Sequence, residues 1–374
     1  MVHVRRCSRV SPQPAGRSGG DPGNAWRADH GAIGPRTTPS DHPGDGIVLG
    51  EASVYHLVRM DPEVRHRVLR DLVHPTEGIG WNLMRICLGT SDFTSSPWYW
   101  YDDLPPGQKD PDLGHFSIQR DIDLHIPAVT CEALSLNPDL RLFASPWSAP
   151  GWTKSSGSLC GGSLLPGCEA VVARYYRMAV EAYGELGIPI AAITLQNEPL
   201  HADRRYPTCY MTWEQQLRLL LLAREEFDRH DLDTEIWIFD HNFADASAFS
   251  EPILVDPGGC AAADGEAFHE HDGQPDEMGY LWSRYPEGPV FLTEHSTWGT
   301  GGMERVLQYL RDGSRSYKAW VTCLDEAQQP KPGTHPSSPT FVTVQRPDPN
   351  AVTYIPEYWL LGQIALCAGR RRAH

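Results

Sequence analysis

Eight short apolar runs punctuate this sequence, and nearly every one leads into polar or charged residues. They read GIVLG at 46–50, LMRICLG at 83–89, RLFASPW at 141–147, AAITLQN at 191–197, EIWIFD at 235–240, EAFHEH at 266–271, VFLTEH at 290–295 and KAWVTCLD at 318–325. Runs of this length, rich in β-branched and aromatic residues, are strand signals. Between them lie stretches with helical apolar spacing at 62–72, 171–186, 212–229 and 303–312. The second of these stops at Gly187, and the third opens on Thr212 with Gln215 three residues later, the pattern of a capping box. Strands alternating with helices imply a parallel sheet in the α/β class. Eight of them predict closure into a (β/α)8 TIM barrel over roughly 44–364, within that fold's size range. An open doubly wound sheet fits less well, because no GxGxxG follows an early strand.

In such a barrel the chemistry sits where strands end. The ends read Glu51, Ser91-Asp92, Trp147, Asn197-Glu198, Asp240-His241-Asn242, His269 with His271, Glu294-His295 and Asp325-Glu326. A polar rim of this kind suits a polar substrate. Glu198 and Glu294 close the fourth and seventh predicted strands, whose ends face each other across a barrel mouth. Two carboxylates flanking one bond are what glycoside hydrolysis needs: one protonated to donate to the leaving oxygen, one ionised to attack the anomeric carbon. Their mutual repulsion and partial burial are expected to raise the pKa of one. Asn197, next to Glu198, suits a hydrogen bond to the hydroxyl beside the anomeric carbon. That assigns Glu198 as acid/base and Glu294, after the apolar VFLT, as nucleophile.

Charge narrows the partners. With 374 residues and a net charge of −16, the chain is a poor match for nucleic acid or an anionic membrane, and no apolar run reaches membrane-spanning length. Residues 1–43 are rich in Arg, Pro and Gly and read as disordered. They lack the apolar core of a signal peptide, so the sequence as written reads as cytoplasmic. Nine cysteines are scattered without a CxxC. Cys160 and Cys168 bracket a short loop, but isolated thiols are the expectation.

At the residues that end these strands the sequence resembles glycoside hydrolase family 30, the glucosylceramidase-like group. GDGIVLGEAS, NLMRICLGTSDF, GHFSIQRD, LFASPWSAPGWTK, ITLQNEP, HNF and FLTEHSTWG are similar to family blocks and stand in the family's order. The resemblance implies a retaining β-glycosidase working through a covalent glycosyl–enzyme intermediate, with a β-glycoside as substrate (glucosylceramide or a β-glucan) and no cofactor or metal. The blocks lie nearest the glucosylceramidase and β-glucosidase side; β-1,6-glucanase and xylanase are alternatives. Residue by residue, the resemblance matches Glu198 to the acid/base and Glu294 to the nucleophile. It matches Asp92, Trp147 and Asn197 to sugar-binding positions, Trp320 to a tryptophan ending the last strand, and Tyr206 to a tyrosine near the carboxylates. His269 falls on the histidine of a strand-six H-x-Y, and Arg85 on an arginine supporting the nucleophile. Family members are often secreted or lysosomal.

The departures are specific. Asp45 replaces a phenylalanine, Gly50 a threonine, and His271 the strand-six tyrosine. The family's accessory β-sandwich is expected to be largely missing, and 365–374 reads as an atypical tail, as in a truncated or frame-shifted product or an inactive carbohydrate-binding barrel. The HEH spacing of His269 and His271, with Asp240, His241 and His295 nearby, is also compatible with a metal-dependent barrel hydrolase, on a weak signal.

Overall fold

Six of the predicted strands form one continuous parallel sheet in chain order: β1 Leu83–Leu88, β2 Arg141–Pro146, β3 Ala192–Thr194, β4 Glu235–Asn242, β5 Gly265–His269 and β6 Val290–Glu294. The computed structural model describes residues 44–46, 48–332 and 340–370, so the segment expected to be disordered lies outside the described residues. All four predicted helices are present, as Pro62–Val73, Glu169–Glu185, Trp213–Arg229 and Gly299–Arg311. The capping box forms as its sequence dictates: Thr212 accepts from the Gln215 backbone, and Gln215 from the Thr212 backbone.

The first and eighth predicted strands are corrected. Among the described residues, the first is a short stave that meets the sheet only through isolated bridges, and in 318–325 Lys318 makes such a bridge while only Cys323–Asp325 is a regular strand. Val48 pairs with Arg85 and Gly46 with Lys318, both parallel, while Val290 pairs with Ser314 on the far side. These contacts close the six-stranded sheet into a ring. The first stave is cut short because Glu51 already opens the helix Glu51–Leu57. It also lies so close to β1 that a Cβ on Gly46 would sit 1.8 Å from the Leu83 carbonyl oxygen, so only glycine fits. Past Lys318 the chain still packs against the barrel through Trp320 and Thr322, but its regular strand pairing moves elsewhere. Cys323–Asp325 (β7) pairs with Val342–Val344 (β8), which pairs with Val352–Tyr354 (β9), in a separate three-stranded sheet. Asp325 therefore does not join the polar rim; it holds Arg346 instead. The last helix is Pro356–Arg370. Among the described residues, no helix is long and apolar enough to cross a membrane.

Alternation along the strands stacks the barrel interior in layers. The lowest takes one residue from each strand: Leu83, Phe143, Ala192, Trp237, Ala267 and Phe291, all buried together. Large and small side chains fill it jointly, with Trp237 stacked on Phe291 at 3.9 Å between ring centroids. Two residues further along β1, β2, β3, β5 and β6 come Arg85, Ser145, Thr194, His269 and Thr293, all buried and all polar. The change from apolar floor to polar layer occurs in one step of the pleat, and the site stands on it.

Candidate active site

Asp240 completes the polar layer, although its position forbids it by simple alternation. It lies three residues past Trp237 and should point outward. A register shift between Phe239 and His241, with positive φ at Phe239 (72°) and Asp240 (66°), turns its carboxylate inward instead. There it is fully buried and accepts from Arg85 (3.1 Å), Thr194 (2.6 Å), His269 Nε2 (3.0 Å) and Thr293 (2.7 Å). Burial pushes its pKa up, but Arg85 and His269 prevail and hold it below the ordinary range.

Arg85 spends its whole guanidinium on this layer. It donates to Ser145 Oγ at 3.0 Å, Glu294 Oε2 at 2.7 Å, Asn197 Oδ1 at 2.7 Å and Asp240. A guanidinium only donates, so it fixes the Asn197 amide with its oxygen inward and its NH2 free to donate elsewhere. Glu294 is buried; that burial raises its pKa, yet His269, His271 and Arg85 hold it down at about 2. It is a carboxylate at any ordinary pH.

Glu198 stands over the layer from the end of β3. Its backbone is in the left-handed region at φ 48°, pinned by its N–H to the Asp240 carbonyl at 2.9 Å. Such a conformation costs a non-glycine residue on the order of 1 kcal/mol or more and persists where surrounding bonds impose it. One ligand-type atom from each of Glu198, His269, His271 and Glu294 lies within 4.8 Å of the others. The expectation that repulsion raises one carboxylate is corrected. Burial and Glu294 do push Glu198 up, but His269, 3.6 Å away, and the charge of His271 leave it below its usual value. The raised groups are the imidazoles. Burial opposes charge on both, yet Glu294 and Asp240 bring His269 up to about 10, and Glu294 raises His271.

The other predicted residues gather around this centre. Asp92 is half-buried, with Oδ1 lacking a hydrogen-bond partner, and burial followed by the charges of Glu294 and Glu198 raises its pKa well above normal. Tyr206 donates to or accepts from His201 at 2.7 Å and feels the charges of Glu198 and Asp92. Trp147 is buried, with Arg85 4.6 Å from its ring centroid and Trp320 stacked at 4.9 Å, so little of its face remains for a sugar; Trp320 is the more open of the two. Glu51 bonds Ser95. His241 faces Asp245 at 3.6 Å; His295 faces Glu270 at 3.9 Å and sits beside His271, with 6.0 Å between ring centroids. Cys160 and Cys168 are free thiols. Sequence reading missed Asp240 as the hub, together with Ser145, Thr194 and Thr293; the available signal was the single acid ending EIWIFD and the shared two-residue step above the apolar floor.

Comparison with known proteins identifies the family of the fold. The profile of the glycosyl hydrolase family 30 TIM-barrel domain matches residues 43–324. The chain is 28% identical over 320 residues to an endo-1,6-β-D-glucanase of Aspergillus fumigatus, covering 81% of this chain and 64% of that one. It is 30% identical over 162 residues to the lysosomal acid glucosylceramidase of Mus musculus, covering 42% and 30%. A solved endo-β-1,6-glucanase superposes with a TM-score of 0.79 at 25% identity, covering 86% of this chain and 75% of that one. The chain thus spans less than two-thirds of the length of the curated relatives it matches.

Proposed function

The chain belongs to glycosyl hydrolase family 30, and from that premise we propose that it is a glycosidase cleaving β-glucosidic bonds with retention, Glu294 being the nucleophile and Glu198 the acid/base. The observation that carries this reading is the buried 2.7 Å pair of Arg85 and Glu294, with a Glu198 carboxylate oxygen within 4.8 Å of it. One carboxylate is held ionised and the other stands alongside. Close spacing suits double displacement, whereas an inverting pair leaves room for a water at about 6.5–9.5 Å.

In the first step Glu294 attacks the anomeric carbon while Glu198 delivers a proton to the leaving oxygen. The proton store is the imidazole pair: His269 Nδ1 lies 3.6 Å and His271 Nε2 3.7 Å from Glu198 Oε1. Asn197, with its oxygen fixed on Arg85, presents its NH2 to the neighbouring hydroxyl. Asp92, Trp320, Tyr206 and the histidines line the rest of the sugar site. In the second step Glu198 takes a proton from water, which opens the Glu294 ester.

The substrate we favour is a β-1,6-linked glucan, supported by the Aspergillus relative and the solved glucanase. The second reading is glucosylceramide, supported by the mouse relative and by the motif blocks around Asp92 and Glu198. The test is side-by-side turnover of linear β-1,6-glucan, glucosylceramide and a chromogenic β-glucoside by the wild type and Glu294→Gln, with the first-formed anomer read by NMR. A first product of α configuration would refute retention.

A further inference from the structure

The histidine pair raises a question that hydrolysis alone does not answer. Its four-residue cluster has the composition of a cation site as well as of a proton relay: two imidazoles and two carboxylates, drawn from three strand ends. The pairwise distances are close to those of a coordination shell. His271 Nε2 is 3.4 Å from Glu294 Oε1 and 3.7 Å from Glu198 Oε1, and His269 Nδ1 is 3.6 Å from Glu198 Oε1. Donors about 2.0–2.1 Å from a tetrahedral zinc ion sit roughly 3.3–3.4 Å from one another. These three of the six edges therefore need to close by only a few tenths of an ångström, and all four atoms already lie within 4.8 Å of one another.

A second, independent observation points the same way. His269 is completely buried and its Nδ1 has no hydrogen-bond partner. The opposite nitrogen, Nε2, faces Asp240 Oδ1 at 3.0 Å. With Asp240 holding the Nε2–H, loss of the Nδ1 proton as an ion enters leaves that lone pair facing the cluster, the usual support of a metal-binding histidine. Glu294 is arranged likewise, with Oε2 taken by Arg85 and Oε1 left facing His271. His271, 47% exposed, gives an ion a way in from solvent. It stands where the family resemblance led to a tyrosine.

We propose that Glu198, His269, His271 and Glu294 form a site for a zinc-class divalent cation, and that the bound ion blocks hydrolysis by occupying both carboxylates. The ion takes the place of the proton that otherwise lies between the imidazoles and Glu198, and that proton leaves to solvent. Zinc is thereby an inhibitor that competes with substrate. The inhibitory part rests on the proposed roles of Glu198 and Glu294; the binding part rests on the cluster alone.

The test is calorimetric titration of ZnCl2 into chelator-treated full chain, for the wild type, His271→Tyr and His271→Phe, with MgCl2 as control and a folding check by circular dichroism. Cobalt(II) is titrated in parallel, because four-coordinate cobalt absorbs strongly in the visible. The expected result is one zinc per chain, weakened about tenfold or more in both variants, a His271-dependent cobalt band, no comparable magnesium uptake, and competitive inhibition of glycoside turnover at the zinc concentration that saturates binding. Zinc binding unchanged in both folded variants overturns the proposal, as does an active enzyme indifferent to zinc. A chain that binds zinc through His271 yet hydrolyses no β-glycoside keeps the metal site and refutes the functional reading instead.

Discussion

Arg85 Nη1 lies 2.7 Å from Glu294 Oε2 in a space from which water is almost entirely excluded; the arginine side chain is 0% and the glutamate side chain 8% exposed. The same guanidinium holds Asn197 and Asp240. One side chain therefore sets the ionisation of the proposed nucleophile, the orientation of the neighbouring amide and the anchoring of the anionic hub.

Glu294→Gln is expected to lower kcat for any β-glycoside by at least about 1000-fold, because an amide cannot form the ester intermediate. The fold should survive, since the glutamine oxygen can still accept from Arg85. Initial-rate kinetics with a thermal melt check both halves; near-native turnover would refute the assignment.

Glu198→Ala is expected to lose little at the first step with a good leaving group and much at the second. Added azide should then restore turnover and appear in the product as a glycosyl azide of retained configuration. Mass spectrometry of the product decides it.

Arg85→Lys keeps a charge but loses the fork that serves Glu294, Asn197 and Asp240 together. With weaker stabilisation, the Glu294 pKa rises from about 2. The acid limb of kcat/KM, where the nucleophile must remain ionised, should therefore move to higher pH. Arg85→Met leaves two buried carboxylates uncompensated and should cost about 3–5 kcal/mol of stability, read by chemical denaturation.

Stability should fall on both sides of mildly acidic pH. Glu294 has a folded pKa near 2, below its unfolded value, so its contribution is present above about pH 4.3 and lost as pH falls toward 2. His269 is raised to about 10, so its contribution is complete below about pH 6.5 and lost as pH rises through 10. Denaturant midpoints measured from pH 3 to 10 test this, and Glu294→Gln should show a shallower acid drop.

His271→Phe, assayed in chelator, should shift the alkaline limb of kcat/KM upward. The imidazole charge lowers the Glu198 pKa, so its removal lets Glu198 keep its proton to higher pH. A downward or absent shift would argue against Glu198 as the acid.

Much of this was legible in the sequence because the relevant signals are local. The six barrel strands announce themselves as apolar runs, Thr212 and Gln215 mark a helix start, and Glu198 and Glu294 end the strands that bring them together. The first and eighth strands were overread because Gly46 and Lys318 are paired by single bridges, and β7 finds its partner at Val342–Val344, a non-local choice that periodicity does not encode. Asp240 escaped notice because only the irregularity at Phe239 turns it inward. A raised carboxylate was expected because the sequence shows two like charges 96 positions apart but not the two imidazoles that gather beside them and lower both.

The proximity of Glu294 to Glu198 gives the proposed reaction its own timing. While Glu294 is an anion, its charge raises the pKa of its neighbour. Once it is esterified to the sugar that charge is gone, and the two histidines pull Glu198 toward the carboxylate against burial alone. The group that has just surrendered a proton thus becomes reluctant to take it back, until water arrives to supply another. Completing the first half of the cycle prepares the second, with no movement of the chain required.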